Sequence, residues 1–218
     1  MANPSSIFLM LGASFCFASA AILTKSLGTN VFGEGVHPLQ IAHARFLFSF
    51  ILLVFFWYIF KPKVKFSNVK LHLLRSIFGW LGVSILFTSI LYIPVSDATA
   101  LTFLNPIFAM IFAVLIFKEK VGLIRWGAAL FSFSGGLLLL RPSLDLSVDP
   151  VALLCLFGAL IMGLEIICIK ILSGKDSVFT ILILNNFFAM CIGTLVVPFF
   201  FVLPGFLELS VLLTIGIF

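Results

Sequence analysis

The chain alternates long apolar runs with short polar breaks. Apolar stretches occupy about 5–27, 38–60, 72–92, 96–117, 122–140, 150–171 and 178–201. Each is close to the roughly 20 residues that a helix needs to cross ~30 Å of hydrocarbon. The runs are continuous, which sets them against the ~10-residue alternating strands of a transmembrane β-barrel. An eighth run begins near Glu208 and stops at Phe218, roughly half a span at ~1.5 Å per residue. It is either re-entrant or the start of a helix that continues past Phe218, and we read the sequence as a fragment. The expected fold class is all-α, a polytopic membrane protein with seven and a half helices in hand.

Composition agrees with the pattern. The 218 residues are 62% hydrophobic and 10% charged, against about 25% charged in soluble domains, too few to clothe a soluble fold. The net charge of +5 does not point to nucleic acid, because the basic residues fall in short loops between apolar runs. The stretches 61–75, 118–125 and 170–175 hold ten of the thirteen Lys and Arg. The positive-inside rule therefore places them, and the N-terminus, in the cytoplasm. Lys25 and Arg141 fall on the opposite side, with the acids Glu34, Asp145, Asp149 and Glu208. MANPSS lacks the basic residues of a signal peptide, so the first run is a retained helix. Cys16, Cys155, Cys168 and Cys191 lie inside apolar runs without CxxC spacing and read as packing residues.

Polar groups inside such runs are the candidates for function. Arg45 lies some 12 Å along the second segment, where an arginine costs ~2.5–3.5 kcal/mol unless it has a partner or water. Two roles stay open for it: bracing a neighbouring helix through backbone carbonyls, or binding substrate. His43 shares that ambiguity. Glu165 is the one acid well inside an apolar run, ~22 Å along the sixth segment. It is the leading candidate for substrate binding or proton coupling; a pair with Lys170, five residues on, fits helical spacing poorly. Asn185 and Asn186 read as interhelical hydrogen-bonding groups. Trp80 is deep enough to line a cavity or to pack on lipid, and Tyr92 is an interfacial anchor.

The fourth segment, LTFLNPIFAMIFAVLIFKEK from Leu101, carries its own signal. Pro106 removes a backbone donor and frees a carbonyl about one turn earlier, near Thr102, which predicts a kink. Asn105 offers hydrogen bonds at that level, so Thr102 and Asn105 join the candidate substrate-binding residues. Glu119 closes the segment, capping the fifth helix or pairing with a basic loop. Small residues every fourth position predict close helix contacts: Gly12, Cys16, Ala20 and Thr24 on the first helix, Ala109 and Ala113 on the fourth, and Ala128, Ser132 and Gly136 on the fifth. ASAAILTK and GLEIICIK, each ending a helix on Lys, hint at a repeat; five helices separate their starts, so the second unit would be inverted.

The block from His72 to Pro142 resembles the first-repeat signature of EamA-type drug/metabolite transporters. The features that carry this are Arg75, Pro94, Ala98, Pro106, Glu119, Trp126, Gly127, Gly135 and Gly136, with HARF around Arg45. The resemblance implies ten helices as two inverted five-helix repeats, here 1–142 complete and 150–218 incomplete. It also implies cytoplasmic termini, a central cavity and secondary transport of a metabolite such as an amino acid, a nucleotide-derived compound or a vitamin. The third-to-fifth helix block and the Glu165–Lys170 spacing are similar to members that take up S-adenosylmethionine. The implied partners are a small-molecule substrate, the bilayer of the inner (plasma) membrane and, as an option, a second copy in a homodimer. Nucleic acid, metal and cofactor are not expected. The rival class is a polytopic membrane enzyme such as a lipid-head-group transferase. Asp97, Asp145, Asp149 and Asp176 are scattered and form no HxxxH or DxxD pattern, so a transporter is expected rather than an enzyme.

Overall fold

The computed structural model describes residues 4–33, 35–64, 68–140 and 149–218; Glu34, Lys65, Arg141, Pro142 and Asp145 lie outside the described residues. The chain is an all-α polytopic membrane protein. Its α-helices are α1 (Pro4–Gly28), α2 (Pro38–Phe60), α3 (Val69–Tyr92), α4 (Val95–Thr102), α5 (Asn105–Phe117), α6 (Leu123–Leu140), α7 (Pro150–Ser173), α8 (Val178–Val196) and α9 (Phe206–Ile217). Among the described residues, six stretches are long and apolar enough to cross a membrane: Ile7–Gly28, Pro38–Phe60, Val69–Tyr92, Val95–Phe117, Pro150–Ser173 and Val178–Phe199. The apolar helices α6, of 18 residues, and α9, of 12, accompany them.

Local chemistry sets the helix ends. Proline occupies the first position of α2 and α7, where its missing N–H costs nothing. The side chains of His37, Asn68, Asp149 and Ser177 accept from first-turn amides of α2, α3, α7 and α8. Lys61 and Lys118 take left-handed backbone angles, φ 44° and 54°, and end α2 and α5. Glu208, expected in an outer loop, is buried and caps α9 by accepting from the Gly205 amide at 2.7 Å.

The fourth segment is not one kinked helix but two helices. Because Pro106 has no N–H, the ladder stops at Phe103 and Leu104. Both Ile107 N and Phe108 N then donate to the Leu104 carbonyl, at 3.0 and 3.3 Å, which starts α5.

The bundle is built around α7, which packs against α3, α4 and α5, while α3 also meets α8, and α2 meets α8 and α9. Ile41, Leu86, Ile90, Leu101, Ala159 and Ile215 fill the core between them. Glycine permits the closest crossing: a Cβ on Gly163 of α7 would stand 2.7 Å from Phe108 Cβ and 3.0 Å from the Ala109 nitrogen of α5. Ala109 and Ala113 are buried, in keeping with the small-residue stripe on the fourth segment. The other two stripes are corrected. Gly12 on α1 and Ala128 and Ser132 on α6 are exposed, and only Ala20, Thr24 and Gly136 of those sets are buried.

The loop after α8 is tied back to the start of α2. Gln40 Nε2 donates to the Val202 carbonyl at 2.7 Å and its Oε1 accepts from the Val202 amide at 3.0 Å. The His37 ring stacks on Phe200 with centroids 4.4 Å apart.

Gly163→Leu is expected to lose about 1–3 kcal/mol of stability through overpacking, whereas Gly12→Leu, with nothing within 4 Å of its Cβ, should melt with the wild type in detergent. Burial holds the His37 imidazole below its usual range, and neutral Nδ1 accepts from Leu39 N at 3.3 Å. The depressed pKa means that this contribution is present above the unfolded-state value and is lost as pH falls through the folded one. A melting-temperature series from pH 7 to pH 5 should therefore fall less for His37→Asn, which keeps a capping oxygen, than for the wild type.

Candidate functional site

A cavity of about 490 Å³ lies among α2, α3, α7, α8 and the end of α9. Helical periodicity aims its polar lining inward. Arg45 and Ser49 are one turn apart on α2, Arg75 and Gly79 on α3, and Met162 and Glu165 on α7. Asn185 and Asn186 complete it from α8. Arg45 also lines a smaller neighbouring cavity of about 160 Å³ beside α1.

The central contact is ionic. Arg75 Nη2 lies 3.6 Å from Glu165 Oε1, with side chains only 7% and 18% exposed. Arg75 Nη1 donates to the Ile181 carbonyl of α8 at 3.1 Å. Gly79 makes room for the carboxylate, since a Cβ there would stand 2.9 Å from Glu165 Oε1. Arg45 lies within electrostatic reach of the same carboxylate. Lys170, the sequence neighbour of Glu165, instead donates to Glu119 Oε1 at 2.5 Å at the end of the bundle. Glu119 thus pairs with a lysine in the last turn of α7, not with a basic loop and not as a cap.

The candidate residues divide between the cavity and the structure behind it. Arg45 and Glu165 line the cavity. Trp80 does neither of the things considered for it: it is buried with Phe46 and Ala189, away from both the cavity lining and the lipid-facing surface. Asn105 sits behind the wall, its Nδ2 3.8 Å from Met162 Sδ. Thr102 is buried at the α4–α7 contact, donating to the Ala98 carbonyl at 2.8 Å and lying 3.4 Å from Cys155 Sγ. Pro106 is the second residue of α5, just after the break.

Arg75 was missed as a site residue, because a basic residue next to a Lys-rich loop reads as a topological charge. Its spacing of four from Gly79 was the available signal. Three residues before it, the wholly buried His72 places Nε2 3.0 Å from Asp176 Oδ2 in the α7–α8 turn. Neither of these two was distinguishable from a loop charge in sequence. Among the described residues no group of three or more His, Cys, Asp or Glu comes together.

A family model for the EamA-like transporter family matches residues 4–141. The chain is 26% identical over 205 residues to an S-adenosylmethionine uptake transporter of Rickettsia prowazekii, covering 92% of this chain and 69% of that protein. A protein of the same name from Rickettsia felis is 26% identical over 196 residues, covering 89% of this chain and 65% of its own length. A riboflavin transporter of Rhizobium johnstonii is 32% identical over 105 residues, 48% of this chain and 34% of that protein. The chain spans about two thirds of the length of the two Rickettsia proteins.

Removing one partner of a buried ion pair typically costs about 3–5 kcal/mol, because the other charge is stranded. Arg75→Gln should approach the low end of that range, given the 3.6 Å separation. Arg75→Gln/Glu165→Gln should recover much of the loss in an SDS-unfolding double-mutant cycle. Simple additivity of the two single losses would contradict the pairing.

Proposed function

Because the chain belongs to the EamA-like transporter family, we propose that it forms part of a secondary transporter that moves a small organic metabolite across the inner membrane by alternating access. The observation that carries this is the cavity of about 490 Å³ among largely apolar spans, lined by two guanidiniums, one carboxylate, two amides and the Ser49 hydroxyl. Intramembrane ionisable groups are costly and concentrate on solute pathways. Relatives named for S-adenosylmethionine uptake and for riboflavin transport support an organic cargo.

In this proposal residues 1–142 are one five-helix unit, and residues 150–218 begin an inverted second unit. The N-terminus faces the cytoplasm, and the two units rock about the cavity. Glu165 acts in substrate binding or coupling, and Arg45 in substrate binding. Asn105 and Thr102 support the site from behind Met162 and at the α4–α7 contact, Trp80 supports the α2–α3–α8 packing, and Pro106 sets the break between α4 and α5. The break gives the fourth span a discontinuity of the kind from which transporter sites are built.

The test is uptake of labelled S-adenosylmethionine and riboflavin by the full-length protein in liposomes. A lost charge-assisted hydrogen bond is worth ~1.5–3 kcal/mol, so Glu165→Gln, although destabilised by the stranded Arg75, should still be recovered in the membrane and, per inserted protein, transport about tenfold or more slowly, with altered pH dependence. A Glu165→Gln protein that keeps both the rate and the pH profile of the wild type would sink the assignment.

A further inference from the structure

Three ionisable side chains line the cavity, Arg45, Arg75 and Glu165, and their formal charges sum to +1. The two arginines are not equivalent. Arg75 is engaged on both terminal nitrogens, with Nη2 facing Glu165 and Nη1 donating to the Ile181 carbonyl, while its buried Nε has no hydrogen-bond partner among the described residues. It performs the backbone bracing that the sequence left open for Arg45. Arg45 makes no hydrogen bond or ion pair with any described residue; its guanidinium carbon stands 5.3 Å from the Phe46 ring centroid, and Glu165 lies within electrostatic reach. A guanidinium held in a cavity with its donors unassigned is a receptor for an anionic group.

We propose that Arg45 binds a carboxylate of the transported solute, so that the cargo is an organic carboxylate rather than a neutral or phosphorylated compound. This rests on the transport proposal above and names the substrate class of the same cavity. The planar fork of arginine matches carboxylate and phosphate alike, and charge separates the two. A singly charged carboxylate offsets the one positive charge that Glu165 leaves on the lining side chains, whereas a doubly charged phosphate group would exceed it among apolar walls; any cation elsewhere on the solute then has to be met outside this contact. Those walls, Leu52, Leu53, Val83 and Leu182, offer an inorganic anion nothing. The volume of about 490 Å³ lies in the ~300–1,000 Å³ range of pockets for organic ligands.

A second group points to the rest of the cargo. Asn186 donates from Nδ2 to the Leu182 carbonyl at 2.9 Å, within its own helix. Asn185 is 8% exposed, and its Oδ1 has no hydrogen-bond partner among the described residues. A buried acceptor without a donor is costly, and an N–H or O–H on the solute, set back from the carboxylate, would satisfy it.

The experiment uses matched solutes with the full-length protein in liposomes: methionine against methioninamide, S-adenosylmethionine against its decarboxylated form, and riboflavin, which has no carboxylate. Counterflow inhibition and thermal stabilisation in detergent are both read. Carboxylates should act at about ten- to hundredfold lower concentration than their carboxyl-free partners, the range of one charge-assisted hydrogen-bond pair. Arg45→Gln should abolish that preference and Arg45→Lys should keep part of it. Carboxyl-free partners acting equally well, or a preference that survives in Arg45→Gln, would overturn the carboxylate site while leaving the transport proposal standing. If no solute is exchanged, the transport proposal fails. Thermal stabilisation by the same pairs then decides the carboxylate site, and equal or absent stabilisation counts against it.

Discussion

Glu165 faces two guanidiniums from two other helices, in a cavity whose other lining groups are uncharged. A charge in such surroundings must be paired, and the way it is paired sets the relative positions of three helices. Arg75 bridges α3 to α7 through the carboxylate and α3 to α8 through the Ile181 carbonyl. Gly79 gives the carboxylate its place, and Gly163, on the same helix as Glu165, lets α7 press its backbone against α5. A half-turn rotation of α7 would strand all of these contacts together, so the pair specifies packing register as well as chemistry.

Two polar clasps hold the ends of the helices that form the cavity. His72 and Arg75, three residues apart on α3, secure the α7–α8 turn and the first turns of α8. Gln40 and His37, at the start of α2, secure the loop after α8. Each clasp ties a residue in the first half of the sequence to one more than a hundred positions later. The segments joined are those on either side of α8, so α8 is tied to the first half of the chain at both of its ends.

Hydropathy made the helices legible, since length and polarity alone mark a membrane span. The second segment was placed at 38–60, and α2 is Pro38–Phe60. The third segment began three residues early, at Val69, because Asn68 supplies a cap outside the apolar run. The fourth span had the right extent, and Pro106 marked where its ladder is disturbed, but whether a missing donor bends a helix or divides it is settled by how the neighbouring turns rebond. Arg45 and Glu165 stood out as charges within apolar runs. Arg75 did not, because near a span end the same side chain reads as topology. Trp80 could not be placed from sequence, since the partner that covers a helix face is chosen by packing. Likewise, every-fourth-residue stripes on α1 and α6 mark faces of small residues without saying whether a neighbour fills them.

The spacing of the ion pair along the chain bears on biogenesis. Glu165 follows Arg75 by 90 residues and Arg45 by 120. During synthesis at ~5–20 residues per second, α2 and α3 therefore exist for roughly 5–20 s before their carboxylate partner has been made. For that interval the nascent chain carries two arginines with no acidic partner inside apolar spans, and the more deeply placed Arg45 approaches the ~2.5–3.5 kcal/mol cost of an arginine at the bilayer centre. Stable release of the early helices into lipid is thereby coupled to the arrival of α7. The carboxylate that pairs with Arg75 is carried by the helix around which the bundle packs, which delays final assembly until α7 is present.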